Sequence, residues 1–153
     1  MKLRTAARAL ICKEDKILFS KCKDSQGIFY TLPGGGIEAN ELAHETIKRE
    51  CLEETGYTVI VNGLVLVKEF IKKIPDVAAF KDGLHQIELI FLCSIDYTKE
   101  KKAPSTLDAY QIGLEWLEIS EIKNQRVFPT ENIAKYLDSG HKEARYLSLR
   151  EGN

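Results

Sequence analysis

The sequence predicts a single α+β domain spanning residues 1–153. Three observations carry this reading. The chain has 153 residues of which 44% are hydrophobic, and a chain near ~150 residues buries roughly two thirds of its unfolded surface without staples. Short β-leaning stretches alternate with turn residues along most of its length. Two stretches, one in the middle and one near the end, have helical spacing and helix-stop signals instead.

Arg4 to Cys12 and Ile17 to Cys22 flank the polar Lys13-Glu14-Asp15-Lys16 and predict a hairpin. Phe29 to Leu32 predicts a strand ended by Pro33. After Gly34-Gly35-Gly36, apolar Ala43, Ile47 and Cys51 recur every fourth residue, so Glu41 to Thr55 reads as a helix. Asn40 is its expected N-cap and Gly56 its terminator. Tyr57 to Val67 and the apolar run His85 to Ile95 predict buried strands. Lys68 to Gly83, between them, reads as either a long hairpin tip or a lid. Leu114 to Ile119 predicts a strand and Glu131 to Ser139 a second helix closed by Gly140; the polar tail from about His141 is expected to be loosely ordered.

Lysine and arginine total 22 against 23 aspartates and glutamates, a net charge of −1. Binding a nucleic-acid polymer non-specifically needs a basic excess, so the expected partner is a small molecule. No segment approaches the ~20 apolar residues of a membrane span. The apolar run Ala9 to Cys12 is too brief for a secretory signal, and Cys12, Cys22, Cys51 and Cys93 include no CxxC pair. The expectation is a cytoplasmic protein with reduced thiols, no membrane partner, and a monomeric or homodimeric state.

The end of the first helix breaks local rules. Arg49-Glu50-Cys51-Leu52-Glu53-Glu54-Thr55-Gly56 places three carboxylates at the negative pole of the helix dipole, with Glu50 and Glu54 a like-charge i,i+4 pair. At ~100° per residue the three fall within about a 100° arc and project toward one volume. A lone pair of this kind is normally a solvated acidic face. Here a glycine run precedes the helix and lets backbone come close to a ligand. Clustered carboxylates are a hard-oxygen nest for Mg²⁺ or Mn²⁺, ions that leave part of their shell to water and phosphate.

Gly35, Glu41 and Arg49-Glu50-Cys51-x-Glu53-Glu54-x-Gly56-Tyr57 resemble the Nudix box, G-x5-E-x7-R-E-U-x-E-E-x-G-U, where U is bulky and apolar. All fixed residues are present at the right spacing, a coincidence on the order of one in 10⁵ or rarer at ordinary residue frequencies. Cys51 and Tyr57 stand at the U positions and Asn40 replaces a frequent glycine. The N-terminal hairpin, Tyr30-Thr31-Leu32-Pro33, Glu115-Trp116 and Phe128-Pro129 extend the likeness over about residues 4 to 138.

The resemblance implies the Nudix fold, an α/β/α sandwich around a mixed sheet, and hydrolysis of a nucleoside diphosphate linked to another group. It implies Glu50, Glu53, Glu54 and the Gly35 carbonyl as metal ligands, with Mg²⁺ as the cofactor and Mn²⁺ able to substitute. It makes Arg49 and Glu41 an orienting ion pair, Glu53 or Glu54 the general base, and Glu115 a further ligand or that base. Phe128-Pro129-Thr130-Glu131-Asn132 is similar to the FPxxN stretch of MutT-type enzymes, where the Asn meets a purine; the alternative is a helix turn with Asn132 exposed. Arg8 and Lys21 are expected either to grip phosphate or to be solvated. The expected activity converts a nucleoside triphosphate, oxidised purines such as 8-oxo-dGTP included, to monophosphate and pyrophosphate. Alternatives are cleavage of a nucleoside diphosphate-X such as ADP-ribose and a non-catalytic nucleotide sensor.

Overall fold

The computed structural model describes residues 1–73, 82–128, 133, 136–137 and 145–150. β1 (Lys2–Lys13) and β2 (Lys16–Asp24) form the expected hairpin, with Glu14 taking φ 55° at its tip. They pair only at Cys12 with Ile17 and Lys13 with Lys16, then part. Each goes on to a different set of neighbours. β1 runs parallel to β6 (Leu84–Ile95) and antiparallel to the short β4 (Gly34–Gly36). β2 pairs with β3 (Gly27–Thr31) and β7 (Gln111–Glu118).

Among the described residues the sheet follows the order β8-β3-β2-β1-β6-β5-β9, with β4 and β7 paired off this path to β1 and β2, and with β5 at Val59–Lys72, β8 at Val127–Phe128 and β9 at Arg145–Arg150. Parallel pairs β1·β6, β3·β8 and β5·β9 within an otherwise antiparallel sheet make it mixed. Strand alternation sends successive side chains to opposite faces. Ala7, Ala9, Ile11, Leu18 and Cys93 pack on one face with Ile47 and Cys51 of α1 (Ala43–Thr55). Leu10, Ile17, Phe19, Tyr30 and Ile90 pack on the other with Ile133 and Tyr136. This is the expected α+β layering. Full burial of Ile47 alone contributes roughly 1.5–3 kcal/mol.

Four elements differ from, or extend past, the sequence reading. Asn40 is not the N-cap: it takes φ 66° in the preceding turn, and Leu42 caps α1, its N–H donating to Glu45 Oε2 at 2.8 Å. Asn tolerates the left-handed region that this turn requires, so it serves the turn instead. Lys68–Lys72 continues β5 against Leu84–Glu88; the remainder of the expected tip or lid, residues 74–81, lies outside the described residues. The expected second helix lies mostly outside them too, although Ile133, Tyr136 and Leu137 are helical. The tail, expected to be loose from His141, supplies β9 over Arg145–Arg150, because the edge of β5 offers unpaired backbone groups to it. No helix among the described residues is long and apolar enough to cross a membrane.

Asp24, at the end of β2, receives a two-pronged contact from Arg126, Nη1 to Oδ1 and Nη2 to Oδ2, both 2.8 Å. The guanidinium holds the Asp24 carboxyl at about 2, below its ordinary 3.8. A depressed folded-state value means stabilisation present above ~pH 5 and lost as the pH falls toward the folded value. Asp24→Asn should therefore lower the urea midpoint at pH 7, and the gap to the unaltered protein should narrow as the pH drops from 5 to 2. A gap independent of pH would show that the charge of Asp24 contributes nothing.

Candidate active site

The site forms where β1 and β2 diverge and the glycine strand meets the end of α1. Gly34, Gly35 and Gly36 pair with Arg8, Ala7 and Ala6. Gly34 has φ +139°, and a Cβ there would stand 2.1 Å from the Ala7 carbonyl oxygen. At Gly35 a Cβ would stand 2.4 Å from Glu50 Oε1. Glycine is thus required at Gly34, and at Gly35 a Cβ would displace the Glu50 carboxylate, so the missing side chain is what lets the backbone touch the carboxylate cluster.

Arg49 organises that cluster. Its Nε and Nη2 donate to Glu41 Oε1 and Oε2 at 2.7 and 2.9 Å, a bidentate pair. Its Nη1 donates to Glu50 Oε1 at 2.7 Å and lies 3.6 Å from Glu53 Oε2, while Nη2 also reaches the Gly36 carbonyl at 3.3 Å. Glu41 Oε2 further accepts from Thr46 Oγ1 at 2.6 Å and from the Glu38 N–H at 3.2 Å. The Arg49 contact, then these hydrogen bonds, keep the Glu41 carboxyl down at about 2. One guanidinium therefore ties the glycine strand and the loop before α1 to the second half of the helix.

Glu54 is 5% exposed and accepts the Gly34 N–H at 3.1 Å. Burial pushes it up to about 8, with the charges of Asp108 and Glu50 adding to the rise and Gly34 and Arg8 opposing it. Burial also raises Glu50, against the pull of Arg49. Glu50 has Arg49 beside it, whereas the contact of Glu54 is a backbone N–H. Among the described residues, no three Asp, Glu, His or Cys side chains close into a finished metal cage; Arg49 and the Gly34 N–H hold Glu50 and Glu54 instead. The donor chemistry nevertheless fits a hard divalent ion, because every group is an oxygen and the buried Glu54 has no cation in contact with it among the described residues.

The other expected residues fall elsewhere. Glu115 pairs in register with Phe19 and so projects from the sheet face opposite α1, where Oε2 takes Lys21 Nζ at 2.9 Å and Tyr30 Oη at 3.0 Å. Lys21, then Tyr30, lower its carboxyl. Lys21 is thus an ion-pair partner of Glu115. Arg8 donates to Glu88 Oε1 at 3.3 Å and to the Gly34 carbonyl at 2.8 Å. Phe128 is exposed, edge-on to Phe29 with ring centroids 6.1 Å apart, and Arg126 lies over both rings. Register puts Phe128 beside Thr31, and Lys21 beside Tyr30, so Phe128 and Lys21 occupy opposite faces. Asn132 lies outside the described residues.

Sequence reasoning missed Gln86, Glu88 and Asp108. Gln86 and Glu88 are buried polar residues two apart in the apolar run of β6, an alternation that was there to be read. Asp108 sits in the loop that Ser105 and Thr106 dock onto the Glu53 carbonyl, and nothing in its local sequence marks it.

The family model for the NUDIX domain matches residues 2–137. This chain belongs to the NUDIX domain family. It is a Nudix-type hydrolase acting on phosphoric anhydride bonds. It is similar to the nucleoside triphosphatase NudI of Escherichia coli O139:H28, 30% identical over 98 residues that cover 61% of this chain and 70% of that protein. The fold is similar to that of a NUDIX hydrolase from Nitrosomonas europaea, with a TM-score of 0.71 at 20% identity, covering 92% of each chain. An ADP-ribose pyrophosphatase from Streptococcus suis has the same fold at a TM-score of 0.61 and 16% identity, covering 97% of this chain and 98% of that one.

If Arg49 is the organiser of this Nudix site, a lysine cannot replace its fork. Arg49→Lys should cost about 1–3 kcal/mol in urea unfolding, since Glu41 and Glu50 each lose a charge-assisted contact. A loss under ~0.3 kcal/mol would contradict the assignment.

Proposed function

We propose that this Nudix hydrolase is a Mg²⁺-dependent pyrophosphohydrolase that converts a nucleoside triphosphate and water to nucleoside monophosphate and pyrophosphate. The observation that carries the reading is the gathering of three helix carboxylates beside the glycine strand, Glu54 buried against Gly34 and Glu50 half-buried between Arg49 and the Gly35 backbone. The likeness to NudI supports the choice of triphosphate over other nucleotides. Glu50, Glu54 and the Gly35 carbonyl would hold the metal, with Glu53 reaching it directly or through water. When bound, Mg²⁺ supplies neutralisation of phosphate oxygens and a water of lowered pKa.

The chain's own residues account for the remaining chemistry. Glu53 has a side chain 35% exposed and only a 3.6 Å approach from Arg49, so it is the carboxylate free to take the proton from the attacking water. Water attacks phosphorus, the anhydride bond between the α- and β-phosphates breaks, and pyrophosphate leaves with the freed electron pair. Arg49 prevents Glu50 and Glu41 from turning away as the charges shift. Glu115, held by Lys21 and Tyr30 on the sheet face opposite α1, stands outside the ligand set in this reading. Asn132 is assigned to the purine, on the FPxxN pattern alone.

Glu53→Gln should reduce pyrophosphate release at saturating triphosphate and Mg²⁺ by ~10²-fold or more with the thermal midpoint unchanged. Full activity in that variant would refute the base assignment. Asn132→Ala should narrow any preference for purine over pyrimidine triphosphates; an unaltered preference in a competition assay would remove Asn132 from base recognition.

A further inference from the structure

We infer that Glu88 is a positioning residue that acts through Arg8 on the glycine strand and thereby on Glu54. The inference rests on the hydrolase reading of the site but on none of its substrate detail. Glu88 lies on β6, 7% exposed, and its Oε1 accepts from Gln86 Nε2 at 2.8 Å and from Arg8 Nε at 3.3 Å. A carboxylate taken this far out of water is costly unless it is paired. Its partner turns the rest of its guanidinium to backbone: Arg8 Nη1 donates to the Gly34 carbonyl at 2.8 Å and approaches the Leu32 carbonyl at 3.4 Å. Gly34 in turn donates its N–H to Glu54 Oε2 at 3.1 Å.

These contacts make one continuous path, Gln86 to Glu88 to Arg8 to Gly34 to Glu54, from β6 through β1 and β4 to α1. Gly34 is its weak joint. It has φ +139° and no side chain, and beyond its place opposite Arg8 in the β1·β4 ladder its two backbone groups are held by side chains, the N–H by Glu54 and the carbonyl by Arg8. Arg8 itself has a 25% exposed side chain on a long stem, and Glu88 stops that stem from changing rotamer. If the Arg8 side chain moves, the Gly34 carbonyl loses its partner, and the glycine strand that carries Gly35 is held against Glu54 only by its ladder with β1. Misplacement by ~1 Å can cost about 10²-fold in rate. Arg8 is accordingly a backbone clamp and not a phosphate grip.

The test compares Glu88→Gln, Arg8→Lys and the double variant with the unaltered full chain. Glu88→Gln keeps size and shape but removes the charge that anchors Arg8. Its expected effects are a kcat lower by ~10-fold or more with KM within twofold, and Mn²⁺ affinity weaker by about 10-fold, read by electron paramagnetic resonance without nucleotide. The double variant should be no worse than Arg8→Lys alone, because residues in series do not add. A raised KM at constant kcat would make the pair a substrate grip and overturn the inference. So would multiplying losses in the double variant, or unchanged kcat and Mn²⁺ binding. If Glu88→Gln does not fold, Glu88→Asp, which shortens the reach, carries the same comparison. Absence of triphosphate turnover in the unaltered chain would defeat the proposed substrate, while Mn²⁺ binding would still decide the positioning role.

Discussion

Much of this molecule is arranged around the guanidinium of Arg49. It holds Glu41 with two hydrogen bonds, Glu50 with one and the Gly36 carbonyl with another, and it stands near Glu53. Without it, three carboxylates at the negative end of a helix would repel one another, and the loop before the helix would lose its tie to the last turns. The contact joins residues eight apart in sequence, Glu41 and Arg49, so it sets the entry angle of α1. Ile47 and Cys51 seat the helix on its face of the sheet, with the acidic residues near its end beside the glycine strand.

The second constraint is the parting of β1 from β2 after two paired residues at each strand end. A hairpin zipped along its length would leave no opening. Here β1 is carried off by β4 and β6 and β2 by β3 and β7, so the glycine strand lies between two differently paired parts of one sheet. The acidic end of α1 then meets glycine backbone directly. Gly34 and Gly35 tolerate that approach only because neither has a Cβ to place against Ala7 or Glu50.

What was legible in the sequence follows from the range of the interaction involved. The hairpin, the helix end at Thr55 and its Gly56 stop depend on neighbours a few residues away and stand as read, whereas the helix starts at Ala43 and not at Glu41. The three carboxylates were found because they violate a local rule. Asn40 was misread because a residue suited to caps is equally suited to a left-handed turn, and the choice was made by Glu41 turning to Arg49. The partners of Arg8, Lys21 and Glu115 were out of reach for a different reason. Arg8 meets Glu88 across 80 residues because β1 and β6 run parallel, a pairing no local pattern announces. Strand alternation could have separated Phe128 from Lys21, but only once β8 was known to pair with β3.

The central claim is that the Arg49-organised carboxylates and the Gly35 backbone form a divalent-metal site for a triphosphate. Its most direct test is a crystal structure with Mn²⁺ and a non-hydrolysable nucleoside triphosphate analogue, using the anomalous signal to locate the ion. The account predicts a peak bounded by Glu50, Glu54 and the Gly35 carbonyl, with ligand distances of about 2.0–2.3 Å and phosphate oxygens completing the shell. Ordered analogue with its metal on another face, and no peak among these groups, would contradict it.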